Sequence, residues 1–195
     1  MQKKFELTSE TKVVFGRTLH RIKALISFGI VSADDLGGWI EKEENLDHSG
    51  DAWVSGTAGV SGDARVYGDA RVSGDARVYG NAWVYGNARV SGNAEVSGDA
   101  RVSGDARVSG IGAIFWIGAV GSRNGTTTFF ACKDKKIRVT CGCFFGDLEE
   151  FEKAVKSTHG DNQHAKVYLL SIEMAKARIG LDGVDENDLD TRATD

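Results

Sequence analysis

The stretch Gly62-Asp63-Ala64-Arg65-Val66-Tyr67-Gly68-Asp69-Ala70-Arg71-Val72-Ser73 contains the rule that organises the chain. From Gly50 to Gly110 a glycine returns every sixth residue, so eleven glycines frame ten units. Each unit runs Gly, then Asp or Asn (Thr57 once), Ala, a variable residue, Val, and Ser or Tyr. Ala fills the third place in all ten units, Ala52 to Ala106, and Val the fifth, Val54 to Val108. Residues two apart in an extended segment point to the same side, so Ala and Val face inward while the residue between them and the one after face outward. Gly followed by Asp or Asn accepts the backbone angles of a corner. A flat segment plus a corner takes six residues, and three such units close a triangular coil.

This pattern resembles the hexapeptide-repeat, left-handed parallel β-helix family, in which an aliphatic residue recurs at every sixth position with a small residue two before it. The resemblance implies a mainly β fold with about three coils over residues 50–110, about 16 Å of rod at the usual strand spacing. A rod that short needs capped ends.

The flanks supply them. Residues 1–49 form an N-terminal β cap: Phe5 to Leu7, Val13 to Phe15 and Leu19 to Leu25 have strand composition, with Thr8-Ser9-Glu10 and Gly16-Arg17 as turns. The run Asp35-Leu36-Gly37-Gly38-Trp39-Ile40 resembles the leader of phage and prophage β-helix proteins. After Gly110 the composition changes to a small α+β module, residues 111–180, which resembles a C-terminal module of the same kind of protein. Ile111 to Val120, Thr126 to Cys132 and Ile137 to Cys141 predict a three-stranded meander, with Asn124-Gly125 as a two-residue hairpin turn. Asp147 and Glu150 mark a helix start. A second helix is expected from about Asp161 to Gly180, with Ala165, Tyr168, Leu169, Ile172 and Ala175 inward. Residues 181–195, with six acidic residues against one Arg, are expected as an acidic disordered tail.

Outward residues one coil apart stack into ladders. Arg65, Trp83 and Arg101 share a face, with Tyr67, Tyr85 and Ser103 beside them. Trp53, Arg71, Arg89 and Arg107 share a second, and Gly59, Arg77 and Glu95 a third. Guanidinium groups fork onto phosphate and aromatic rings stack on bases, which makes Arg65, Arg101, Trp83 and Tyr85, with Arg123 in the 122–125 loop, candidate ligand-binding residues. Arg and Tyr are also ordinary strand-surface residues, and the aromatic face is equally suited to a subunit interface.

Other chemistries are less well served. Hexapeptide-repeat proteins include trimeric acyltransferases that use acyl-CoA, and these need a histidine general base at the subunit cleft. Residues 50–110 contain no His and no Cys, and only His48 borders the first coil. Cys132, Cys141, Cys143, His159 and His164 match no zinc spacing, and Cys141 and Cys143, two apart, are expected on one packed strand face. Cys143 with His159 as a nucleophile and base has no local activating feature. No metal, cofactor or catalytic residue is assigned.

A net charge of −4 gives no reason to expect duplex nucleic acid. No apolar run is long enough to span a membrane and no secretory leader is evident. Three cysteines suit a reducing compartment, and the expected location is the cytoplasm, that of the host if the protein is phage-encoded. The expectation that follows is a non-enzymatic, homotrimeric, phage-type accessory protein acting in counter-defence. It would sequester a nucleotide-like immune signal or block a host protein; an acyl-CoA transferase is the alternative.

Overall fold

The computed structural model describes residues 2–181; the segment expected as an acidic tail lies, from 182 onward, outside the described residues. β1 (Phe5–Val14) and β2 (Arg17–Ala24) form an antiparallel hairpin turned by Phe15 and Gly16, both with positive φ. Thr8-Ser9-Glu10 is not the expected turn. The pairing register slips between Leu7 and Thr11, and the Thr8 hydroxyl accepts the Glu10 N–H at 3.2 Å, so the three residues are absorbed as a bulge within one long strand. β2 also pairs with β3 (Leu36–Ile40). A Cβ at Gly37 would lie 2.5 Å from the Ile22 side chain, so glycine lets β3 lie close against the hairpin.

Ten two-residue strands follow, each the variable residue and the Val of one unit: β4 (Trp53–Val54), β5 (Gly59–Val60), β6 (Arg65–Val66), β7 (Arg71–Val72), β8 (Arg77–Val78), β9 (Trp83–Val84), β10 (Arg89–Val90), β11 (Glu95–Val96), β12 (Arg101–Val102) and β13 (Arg107–Val108). They stack in parallel on three faces, in the orders β4-β7-β10-β13, β6-β9-β12 and, continuing the hairpin sheet, β1-β2-β3-β5-β8-β11. The Ala and Val of all ten units are 0 % exposed. Backbone bonds tie each coil to the next, as Arg65 N–H to Ala82 C=O at 2.9 Å and Tyr67 N–H to Val84 C=O at 3.1 Å. The corner glycines from Gly50 to Gly104 have φ of 58° to 72°, and a Cβ at Gly80 would sit 3.0 Å from the nitrogen of Gly98. Corner carboxylates are paired with donors one coil away, Asn81 with Asp99 at 2.9 Å and Asn87 with Asp105 at 3.3 Å, which relieves the repulsion of a stacked acidic ladder.

The solenoid path begins ahead of the repeat. Ile40 pairs with Val60 and Leu46 bridges to Val66, both buried, so all three faces carry four rungs and the β-solenoid has about four turns. At this end two side chains replace the N–H groups that a further coil would donate. The Asn45 amide donates to Gly62 C=O at 3.0 Å and Ala64 C=O at 2.8 Å, and the buried Lys4 amine donates to Gly50 C=O at 3.2 Å and Ala52 C=O at 2.9 Å.

The other end is closed by an antiparallel sheet of four strands, β14 (Ile114–Val120), β15 (Gly125–Ala131), β16 (Ile137–Cys141) and β17 (Phe144–Asp147). The fourth strand is additional to the predicted meander; only Gly142, with positive φ, and Cys143 separate it from β16. The β14–β15 connection is also longer than the expected two-residue turn. Val120 pairs with Gly125, leaving the four-residue loop Gly121–Asn124. Helix α1 (Leu148–His159) starts at the expected capping box, Asp147 accepting the Glu150 N–H and Glu150 the Asp147 N–H, both at 2.9 Å. Helix α2 (Gln163–Arg178) is capped by Asn162. Both helices pack on the sheet through Phe151, Val155, Tyr168 and Ile172, and Leu169, expected inward, is half-buried.

Candidate functional site

The chemically richest face is β6-β9-β12. Coil spacing stacks Tyr67 on Tyr85, with ring centroids 4.9 Å apart and planes 1° from parallel. The Trp83 ring meets Tyr67 edge-on at 6.1 Å, and the Arg101 guanidinium lies 4.7 Å above the Trp83 ring. Burial and the neighbouring Tyr85 push the Tyr67 phenol above its ordinary pKa. A cleft opens at each end of this face.

The first cleft, about 580 Å³, lies between the face and the turn that carries Glu43–Asn45, a short 3-10 helix. Leu46 and Val66 form its floor, Arg65, Tyr67 and Trp83 one wall, and Glu43, Glu44, Asp47 and His48 the other. It is an acidic cleft. Hydrogen bonding from His48, and then from Lys3, holds the Glu43 carboxyl below the usual range. Asp47 is also held low: burial works against its charge, but the Ser49 hydroxyl and N–H donate to it. His48 has both ring nitrogens engaged, Nδ1 accepting the Lys4 N–H at 3.1 Å and Nε2 donating to Glu43 at 2.7 Å, with the ring stacked on Phe5 at 4.3 Å. This arrangement leaves no free lone pair for a general base.

The second cleft, about 530 Å³, lies between the last coil and the C-terminal module. Arg101 and Asp99 come from the solenoid, Ser122 and Arg123 from the 121–124 loop, Thr126 from β15, and Cys141, Cys143, His159 and Tyr168 from the module's far side. The backbone of Arg101 is held from both directions: the Thr128 hydroxyl accepts its N–H at 3.1 Å, and the Thr140 hydroxyl donates to its C=O at 2.6 Å. Positive φ angles flank the loop that carries Arg123, 55° at Ala119 in β14 and 48° at Asn124. The loop is also tightly seated, since a Cβ at Gly121 would lie 1.9 Å from the Tyr168 hydroxyl. The Cys141 thiol donates to that hydroxyl at 3.7 Å; burial first, and this contact second, push Tyr168 up to about 12.

Among the residues singled out from sequence, Arg101 and Arg123 therefore line one cleft, while Arg65 and Trp83 line the other. The Arg101–Trp83 stack joins the two, and Tyr85 stacks on Tyr67 between them. The second face differs in character: its Trp53 is buried beneath Phe28, with ring centroids 5.4 Å apart. Cys141 and Cys143 do not share a packed strand face. β16 ends at Cys141, which is half-buried, and the turn at Gly142 leaves Cys143 exposed. Cys143 and His159 both line the second cleft. Cys132 is buried, and burial pushes its thiol up to about 12, so it is protonated at neutral pH. Among the described residues no group of three or more His, Cys, Asp and Glu side chains is placed to hold a metal ion. No described helix is long and apolar enough to cross a membrane.

Sequence reasoning missed the acidic wall of the first cleft and the two threonines that clamp Arg101. The first had a signal: Ile40 and Leu46 are six apart, so Lys42-Glu43 occupies the place of a solenoid corner, with Glu44 directly after it. The second had none, because the Thr128 and Thr140 contacts depend on how an unrelated sheet docks on the last coil.

The YdcK beta solenoid repeat matches the chain in four overlapping stretches, residues 58–73, 70–86, 82–98 and 94–110. The chain is a β-helix repeat protein. The matched stretches cover the rungs from β5 to β13 and leave out the hairpin, the first cleft's acidic turn and the C-terminal module. No curated protein matches the chain. The matched repeat carries no indication of catalysis.

Proposed function

We propose that this is a non-catalytic binding protein for a small anionic, nucleotide-like ligand whose phosphate lies between Arg101 and Arg123. The observation that carries this reading is that Arg101 and Arg123, from different parts of the fold, line one cleft. Their backbones are fixed, one by Thr128 and Thr140 and the other by the loop seated on Tyr168. A guanidinium forks onto phosphate oxygens, and the Ser122 and Thr126 hydroxyls add donors. Asp99, the carboxylate on the same wall, already accepts the Asn81 amide. Such a site holds a ligand without transforming it.

The wider setting rests on the resemblance of the leader and C-terminal module to phage-type proteins and of the rod to the hexapeptide-repeat family. In that setting the ligand is an immune signal of the host cell, the protein a counter-defence sponge in the host cytoplasm, and the assembly a homotrimer built on the solenoid. The test is a thermal-shift panel of mononucleotides, cyclic oligonucleotides, ADP-ribose derivatives and acyl-CoAs. A ligand at about a hundred times its Kd stabilises the folded state by about 2.7 kcal/mol. Nucleotide-type ligands are expected to raise the Tm of the wild type and to lose that effect in Arg101→Ala/Arg123→Ala. A shift with acyl-CoA alone would reinstate a transferase. No shift with any compound would overturn the small-ligand reading and leave a host protein as the partner.

A further inference from the structure

We infer that the ligand is a guanine nucleotide, its phosphates held in the second cleft and its base in the first, where the Glu44 carboxylate takes the Watson–Crick edge; this rests on the phosphate site proposed above. The two clefts lie on one face and have opposite character. The second presents Arg101 and Arg123 beside one carboxylate, Asp99, and the first Glu43, Glu44 and Asp47 against Arg65. A plain polyanion laid along this face would meet carboxylates at one end. A nucleotide would not, because its base is neutral and can carry hydrogen-bond donors. Guanine presents adjacent N1–H and N2–H groups, a pair that a single carboxylate accepts in bidentate fashion.

Glu44 is suited to that role. It is exposed at the cleft and accepts no hydrogen bond among the described residues, whereas Glu43 is held by Lys3 and His48 and Asp47 by Ser49. Tyr67 and Trp83 give the base an aromatic wall. Leu46 lies one rung before Val66, and Val102 lies two rungs after it, so three coil spacings, about 14 Å, separate the two ends. That distance, shortened by the reach of Glu44 and the arginines, suits an extended nucleoside diphosphate and exceeds the reach of a phosphate alone. Arg65 lies between the ends, beside the path of the ribose.

Calorimetry of the full chain with GDP, inosine diphosphate and pyrophosphate separates the two parts. Inosine diphosphate lacks only the N2 amino group. GDP is expected to bind about tenfold or more tighter than inosine diphosphate, because one hydrogen bond to a charged group is lost. Glu44→Gln should bring GDP down to the inosine diphosphate level and leave pyrophosphate binding unchanged. Equal affinity for the two nucleotides, or an unaltered GDP affinity in Glu44→Gln, with pyrophosphate still bound, would overturn the base assignment and leave the phosphate site standing. Failure of pyrophosphate and both nucleotides to bind would overturn the phosphate site itself.

Discussion

The two ends of the solenoid solve one problem in different ways. At each end a coil lacks its neighbour, and its backbone groups need partners. The N-terminal end borrows two side chains, Lys4 and Asn45, whose amine and amide nitrogens each bridge a pair of carbonyls. The C-terminal end borrows a separate sheet, with Thr128 and Thr140 on Arg101, a backbone bond from Lys133 N–H to Asp105 C=O, and a bridge from Ala106 to Cys132. The first solution brings an acidic turn against the rod and the second brings an arginine loop. The repeat between them is too uniform to build a site, so the clefts form where it is interrupted.

The contrast is broken most severely at Asn45. Asn45→Ala removes both carbonyl partners and the acceptor of the Lys42 N–H inside a 0 % exposed pocket, and should cost about 3 kcal/mol, read by chemical denaturation. Asn87→Ala at an exposed corner should cost under about 0.5 kcal/mol. Comparable losses from the two would show that the cap is no more critical than any corner.

Alkali should act on the two ends with opposite sign. Burial lowers the Lys4 amine to about 8 from 10.5, so above pH 8 the unfolded chain holds a proton that the folded one has released, and stability rises with pH. Burial raises the Cys132 thiol to about 12 from 9, so above pH 9 the folded chain keeps a proton that the unfolded one has lost, and stability falls. Either slope is at most about 1.4 kcal/mol per pH unit. Denaturation of Lys4→Met between pH 8 and 9 should lose the rise, and that of Cys132→Ala above pH 9 should lose the fall. Unchanged slopes would mean that neither group titrates as its burial dictates.

The smallest effect is expected at the junction. Thr140→Val keeps the shape of the side chain and removes the hydroxyl on Arg101 C=O, costing about 1 kcal/mol in stability. Phosphate affinity should fall with it, because Arg101 loses one of its two clamps. Unchanged affinity would show that the clamp does not position the guanidinium.

How far the sequence could be read follows the same division. Ala and Val at fixed places in every unit leave a single solution for the interior, so the solenoid, its corners and the Arg65–Trp83–Arg101 ladder were legible from periodicity alone. Asp147 and Glu150 announced α1 because a capping box is local. Thr8-Ser9-Glu10 misled because a bulge and a turn use the same residues, and register alone separates them. β17 was missed because four residues, two of them Phe and one Gly, carry no alternation to count. Arg123 was legible as a loop arginine, whereas its place on the same cleft as Arg101 depends on docking between parts distant in sequence.

Amide hydrogen exchange of the chain with and without pyrophosphate tests the location of the site most directly. Slower exchange at residues 119–128 and 99–103, with the β7, β10 and β13 rungs unchanged, is the expected result. Protection spread along those rungs, or confined to the hairpin β1-β2, would contradict the claim that binding belongs to the junction between the last coil and its cap.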